Sequence, residues 1–203
     1  MVRIDDILNS FSARQSGADT SAIQRAYLFG ARKHEGQARK SGEPYMVHPM
    51  AVSKIVADMG LDAASVCAAL LHDTLEDTHL TLEDLHRVFG ETVAAVVAGC
   101  SEPDKSVPWE ERKRHTFRTL KTAPVEVRLV TCADKLDNVL SLIEDVREQG
   151  EALWDRFNRG KEDQAWYYRT MVQRLSMGEE CSEPCAELLY ELAAAVESLF
   201  GPL

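Results

Sequence analysis

The sequence predicts an all-α protein of about eight to ten helices, and three observations carry that expectation. Apolar residues recur at helical spacing along most of the chain. No run alternates strictly with period two, and Gly and Pro mark the breaks between the periodic segments. The first clear segment runs from Ser21 to His34, where Ile23, Ala26, Tyr27, Gly30 and Ala31 recur and Asp19, Thr20 or Ser21 offers an N-cap. Gly36 ends it, and the polar stretch from Gln37 to Pro44 reads as a loop. Pro49 suits the first turn of the next helix, whose buried stripe is Val52, Ile55, Val56 and Met59; Gly60 stops it. Asp62 can cap a third helix through Val66, Ala69, Leu70 and His72, apolar on most sides and therefore central. Thr81 to Asp84 resembles a capping box, Gly90 closes a short helix, and an apolar segment spans Thr92 to Ala98. Pro103 and Pro108 bracket a loop before a charged helix from Trp109 to about Lys121. Pro124 opens a long helix through Val127, Val130, Ala133, Leu136, Val139, Leu140 and Ile143, ending near Gly150. Two more helices are expected, from Lys161 to Met177 and from Pro184 to Phe200.

At 203 residues, with 45% hydrophobic and 28% charged residues, the chain can bury one sizeable core, so a single domain over 1–203 is expected. The formal charge of −10 argues against nucleic acid as the main partner, because binding a phosphate backbone needs broad positive surface. A small polyanion remains compatible, provided a local basic pocket or a metal ion receives it. No apolar run is long enough to span a bilayer, and the opening Met1-Val2-Arg3-Ile4-Asp5-Asp6 lacks the features of a signal peptide, so a cytoplasmic protein without a membrane partner is expected. The five cysteines, Cys67, Cys100, Cys132, Cys181 and Cys185, read as free thiols in that compartment. No second Cys/His pair near Cys181 and Cys185 completes a zinc site. The sequence leaves a homodimer open.

The chemistry concentrates in His48, the doublet His72-Asp73, and Asp134. A His-Asp pair that follows Ala68-Ala69-Leu70-Leu71 must either leave the core or be compensated, since an isolated buried carboxylate costs many kcal/mol. Two imidazoles and two carboxylates form a mixed N/O donor set that suits Mn²⁺ or Fe²⁺. Such an ion lowers the pKa of bound water toward neutrality. Taken singly, each histidine and the doublet read more simply as ordinary core or surface residues. If the helix persists past His72, Glu76 shares a face with His72 and Asp77 with Asp73, although spacing alone also fits acids that solvate a helix end.

The arrangement resembles the HD phosphohydrolase superfamily, in which an isolated His, a His-Asp doublet and a distant Asp occur in that order. More narrowly it is similar to the hydrolase domain of RelA/SpoT-type alarmone enzymes. The matching text is Arg39-Lys40-Ser41-Gly42-Glu43-Pro44-Tyr45 with His48-Pro49, then Ala68 to Asp73 with Glu76-Asp77-Thr78, Phe89-Gly90, and Ala133-Asp134-Lys135-Leu136 with Asn138. The resemblance implies an HD-type helical bundle, with a motif-bearing core over about 22–150 and accessory helices over 151–203. It implies metal ligation by His48, His72, Asp73 and Asp134, with Mn²⁺ expected and Fe²⁺, Zn²⁺ or Co²⁺ as alternatives. It assigns Glu76 and Asp77 to positioning or deprotonating the attacking water. Arg39, Lys40 and Ser41 are implied as contacts to nucleotide and phosphates, with Asn138 near the sugar or a phosphate and Ser141 one turn further on. The basic helix Arg112, Lys113, Arg114 and Arg118, preceded by Lys105, matches one that reaches substrate phosphates, Lys113 being the expected contact; a solvated face is the plainer reading. Tyr168, within Trp166-Tyr167-Tyr168, can stack a base, although aromatics at helical spacing more often serve a core.

The implied activity is removal of the 3′-pyrophosphate of ppGpp or pppGpp, giving GDP or GTP. Two alternatives stand beside it: the same chemistry on an adenosine alarmone or on the phosphate of NADPH, and a non-catalytic alarmone-binding module. Where the long enzymes read Ala-Asp-Arg-Leu-His-Asn, this chain has Lys135 and Asp137 in place of the Arg and His. With the short stretch from Gly99 to Lys105, this looks closer to the small hydrolase-only members, such as those of metazoans. The stretch after Leu142 is too short to hold a synthetase domain.

Overall fold

The computed structural model describes residues 1–39, 42–102, 106–176 and 183–203, the side chains of 183 and 184 excepted. Among the described residues the elements are all helical: α1 (Ile4–Arg14), α2 (Ser21–Lys33), α3 (Val47–Asp58), α4 (Ala63–Leu71), α5 (Thr74–Asp77), α6 (Leu82–Cys100), α7 (Trp109–Thr119), α8 (Val125–Gln149), a 3-10 turn (Gly150–Arg156), α9 (Lys161–Ser176) and α10 (Glu183–Phe200). The only β-type pairing among them is an isolated bridge between Ala38 and Pro44. The all-α expectation holds, and the helix bounds fall close to those read from periodicity.

The core is built around α4. Every residue from Ser65 to Leu71 is buried, and α2, α3, α6 and α8 pack around the helix. Its start is capped as expected, the Asp62 carboxylate accepting from the Ser65 N–H at 2.8 Å. The capping box at Thr81 and Asp84 is also present. Gly90 turns the chain at φ 84°, so the expected short helix and the apolar segment after it join as one kinked α6. On the far side, α10 and the 3-10 turn lie against α8, and α9 bridges α7 and α10.

Two differences have physical causes. The helix α1 lies outside the expected elements, although Ile4, Ile7, Leu8 and Phe11 stand at i, i+3, i+4 and i+7 and bury Ile7 and Phe11. The helix bearing His72 also fails to continue. It ends at Leu71, and the Thr74 hydroxyl takes the Leu71 carbonyl at 2.6 Å, a bond that a continuing helix would give to a backbone N–H. The Glu76 and Asp77 N–H groups then both close on the Asp73 carbonyl, at 3.1 and 2.9 Å, so the acids sit on a separate turn. Cys67, Cys100 and Cys132 are free thiols, whereas Cys185 is disulfide-bonded, which corrects its reading as a thiol; Cys181 lies outside the described residues. Among the described residues, no helix is long and apolar enough to cross a membrane.

The crossing of α6 and α8 depends on a missing side chain. A Cβ at Gly99 would stand 2.6 Å from one methyl of Val127 and 3.0 Å from the other. Gly99→Ala is therefore expected to destabilise the protein by about 1–3 kcal/mol through overpacking. Chemical denaturation measures this directly, and an unchanged midpoint would contradict the packing described.

Candidate active site

The predicted ligands come together where α3, α4 and α8 meet. His48 sits in the first turn of α3, His72 caps the C-terminus of α4, Asp73 begins the next turn, and Asp134 lies within α8. Donor atoms of His48, His72 and Asp134 all lie within 4.8 Å of one another. His48 Nε2 is 3.1 Å from Asp134 Oδ1, and His72 Nε2 is 3.8 Å from the same oxygen. Asp73, the fourth predicted ligand, lies beside that group but not within it, with Oδ1 3.2 Å from His72 Nε2 and Oδ2 3.9 Å from His48 Nε2. Around an octahedral ion with bonds of about 2.1 Å, neighbouring donors stand roughly 3 Å apart and opposite ones roughly 4 Å apart. The observed spacings fit that range.

The ring nitrogens support the same reading. His72 Nδ1 donates to the Ala69 carbonyl at 2.9 Å, which leaves Nε2 as the acceptor nitrogen. Nε2 is buried and has no hydrogen-bond partner. A buried acceptor without a proton donor, beside two carboxylates, is what a divalent cation would satisfy. This donor set suits such an ion.

A shell of polar groups makes the site tolerable to the core. Lys135 Nζ holds Asp134 Oδ2 at 2.6 Å, and Asn138 donates its amide to Asp134 Oδ1. Burial pushes the Asp134 pKa up, but the Lys135 charge and the His48 contact hold it well below the ordinary carboxylate value. Burial likewise works against the Lys135 charge, and Asp134 more than restores it. For His48, burial favours the neutral ring; hydrogen bonds to Asp134 and Asp137 outweigh this and raise its pKa to about 9. Burial pushes the Asp73 pKa up, but the neighbouring His72 and His48 rings hold it below its ordinary value.

The acidic pair separates. Glu76 lines the same cavity as the histidines, and its Oε1 accepts from the Glu102 N–H at 2.8 Å. Burial raises the Glu76 pKa, with the Asp73 charge adding to it and the Glu102 N–H opposing it. Asp77 does not line that cavity. Its Oδ2 stands 2.6 Å from the Tyr45 hydroxyl, which is also 2.8 Å from Asp73 Oδ2. The phenol has one proton for two carboxylates, so it serves one at a time.

The cavity measures about 750 Å³ and carries cations on its wall. Arg39 reaches it from a loop closed by its own N–H on the Glu43 carbonyl, at 2.9 Å. Its guanidinium faces Asp137 Oδ2 at 3.5 Å and Asn138 Oδ1 at 3.0 Å. The expected basic helix divides: Arg112 and Lys113 turn inward onto Glu102 at 3.1 and 2.5 Å, whereas Arg114 and Arg118 are exposed. Lys113 Nζ also lies 4.4 Å from the centre of the Tyr167 ring. Ser141 and Tyr168 line the cavity, and Tyr168 is also packed against Phe200. Lys40, Ser41 and Lys105 lie outside the described residues. Sequence reasoning assigned no role to Tyr45, Glu102, Lys135 or Asp137. Lys135 and Asp137 carried a signal as departures from the pattern of the long enzymes, and Tyr45 carried one as the last residue of the matching text from Arg39.

Comparison with known proteins agrees with this geometry. Residues 26–161 match the family described as HD domain. A GTP pyrophosphokinase of Streptomyces coelicolor is 42% identical over 132 residues, which cover 64% of this chain and 16% of that one. A guanosine-3′,5′-bis(diphosphate) 3′-pyrophosphohydrolase of Aquifex aeolicus is 44% identical over 123 residues, 59% of this chain and 18% of that one. The match thus spans less than a fifth of either relative. Among solved structures, a Listeria monocytogenes protein superposes with a TM-score of 0.70 at 34% identity, over 75% of this chain and 98% of its own. A metazoan ortholog of SpoT, described as hydrolysing ppGpp, also gives 0.70, at 26% identity over 88% of this chain and 97% of its own. The histidines and aspartates assembled here fall within the matched residues, and the chain belongs to the HD domain family.

Proposed function

We propose that this chain is a manganese-dependent pyrophosphohydrolase that removes the 3′-pyrophosphate of ppGpp or pppGpp, releasing GDP or GTP and pyrophosphate. One observation carries the reading: an unpartnered buried imidazole nitrogen, between two carboxylates, opens onto the cavity whose wall holds Arg39, Arg112, Lys113 and Lys135. A divalent cation and a polyanion are the two species that this pairing of charges would accept together. The pyrophosphohydrolase relatives and the ppGpp-hydrolysing metazoan protein support the choice of substrate.

His48, His72, Asp73 and Asp134 would hold the cation, and Mn²⁺ suits their mixed N/O character, with Fe²⁺, Zn²⁺ and Co²⁺ as the nearest competitors. When bound, the ion supplies Lewis acidity for water activation and charge neutralisation. Glu76 is the candidate base, fixed by the Glu102 N–H and held by burial at a raised proton affinity. It would take a proton from the water that adds to the phosphorus on the ribose 3′ oxygen; the P–O3′ bond breaks, and that oxygen takes up a proton from Glu76 or from solvent to leave as the hydroxyl. Asp77 would act through Tyr45, steadying Asp73. Arg39, Lys113 and Lys135 would bear the developing phosphoryl charge, while Asn138 and Ser141 line the path of the sugar and Tyr168 offers a ring to the base. In this reading 1–203 form one hydrolase domain acting in the cytoplasm on a free nucleotide, with 151–203 bracing α8.

The purified protein supplied with Mn²⁺ is expected to release pyrophosphate from ppGpp; no release would refute the substrate. Asp73→Ala should abolish both Mn²⁺ retention and turnover. Glu76→Gln should keep the metal and lose about 10²–10⁴-fold in kcat. A Glu76→Gln enzyme as fast as wild type would remove it from the role of base.

Metal uptake should also depend on pH. With its pKa at about 9 in the metal-free protein, His48 is protonated at neutral pH and must lose that proton to bind a cation. Mn²⁺ affinity is therefore expected to rise with pH toward that value, by up to about tenfold per pH unit, with protons released on binding. Titration in weakly buffered solution with a pH indicator measures this; uptake without proton release would contradict the assignment.

A further inference from the structure

We propose that Asp137 is a positioning residue that ties the metal site to the Arg39 guanidinium, because a single oxygen of its carboxylate faces both. The inference rests on the reading of the site given above. Asp137 Oδ2 is 2.6 Å from His48 Nδ1 and 3.5 Å from Arg39 Nη1.

The His48 contact decides which nitrogen can face a metal. A neutral imidazole carries one proton, and a carboxylate beside Nδ1 holds it there, leaving the Nε2 lone pair directed at the cluster with Asp73 and Asp134. The same carboxylate raises the ring's basicity and so strengthens it as a ligand. Helix geometry makes the contact available: Asp137 lies one turn beyond Asp134 on α8, so both face His48.

The Arg39 contact reaches the other half of the site. Arg39 places one guanidinium nitrogen on Asp137 and the other on Asn138 Oδ1 at 3.0 Å. Asn138 in turn donates to Asp134. Moving Asp137 would release the metal-facing ring and the phosphate-facing guanidinium together. A neutral side chain at this position would lack the charge that faces both groups.

The test compares wild type, Asp137→Asn, Asp137→Ala, Arg39→Ala and the Asp137→Ala/Arg39→Ala pair. Mn²⁺ affinity is read by chelator competition without nucleotide, KM and kcat with ppGpp, and folding by thermal melting. Asp137→Ala is expected to weaken Mn²⁺ binding by about 10–100-fold and to raise KM. Asp137→Asn, which keeps an oxygen in place without its charge, should fall between that variant and wild type. It also keeps the test decisive if Asp137→Ala does not fold. Arg39→Ala should raise KM without changing Mn²⁺ affinity, and raise it less in the Asp137→Ala background than alone. Wild-type Mn²⁺ affinity in the Asp137 variants, or a full Arg39→Ala effect on KM in the Asp137→Ala background, would overturn the proposal. A wild-type protein that takes up no Mn²⁺ would overturn the metal reading and this inference with it. One that binds Mn²⁺ but leaves ppGpp intact would overturn the substrate alone, while the Mn²⁺ comparison still decides the role of Asp137 toward His48.

Discussion

Two imidazoles and two carboxylates share a space from which the core largely excludes water, and much of the surrounding structure answers that one constraint. His48, His72 and Asp134 are buried, and Asp73 is half-buried. Leaving such groups unpaired would cost several kcal/mol each, comparable with the whole stability of a domain of this size. The compensation is local and dense: Lys135 and Asn138 on Asp134, Asp137 on His48, the Ala69 carbonyl on His72 and Tyr45 on Asp73. One nitrogen, His72 Nε2, is left without a partner, and it faces the space where a cation fits.

Cations gather at the cavity of an otherwise acidic protein, interleaved with acids such as Glu76, Glu102, Glu144 and Asp145. The chain carries a formal charge of −10, yet Arg39, Arg112, Lys113 and Lys135 converge on one cavity. Each is already matched to a carboxylate: Arg39 to Asp137, Lys135 to Asp134, and Arg112 and Lys113 to Glu102. The cations are thus held in place before any ligand arrives, which reduces the ordering that binding must impose. Glu102 also anchors Glu76 through its backbone N–H, so one residue steadies both the candidate base and the basic wall.

Much of the fold was legible in the sequence. The long apolar segment around Leu70, the Asp62 cap, the capping box at Thr81 and the helix opened by Pro124 all lie where periodicity and capping chemistry put them. The helix α1 carried the same apolar spacing at the N-terminus. The break after Leu71 was hidden, because nothing in Leu71-His72-Asp73-Thr74 is a helix breaker; it became visible only where the Thr74 hydroxyl competes for a backbone carbonyl.

The sequence by itself determined the helical class, the candidate residues His48, His72 and Asp134 that the fold brings together, and the family to which they point. Those depend on residue type and local spacing, which a linear string contains. Tertiary structure alone decided how the acidic pair divides, with Glu76 at the cavity and Asp77 on Tyr45, and how the basic helix divides between inward and exposed cations. It also decided that Asp137 stands between His48 and Arg39. Each of these outcomes depends on the direction a side chain takes toward a residue distant in the chain, and that direction is set by how α3, α4, α7 and α8 pack.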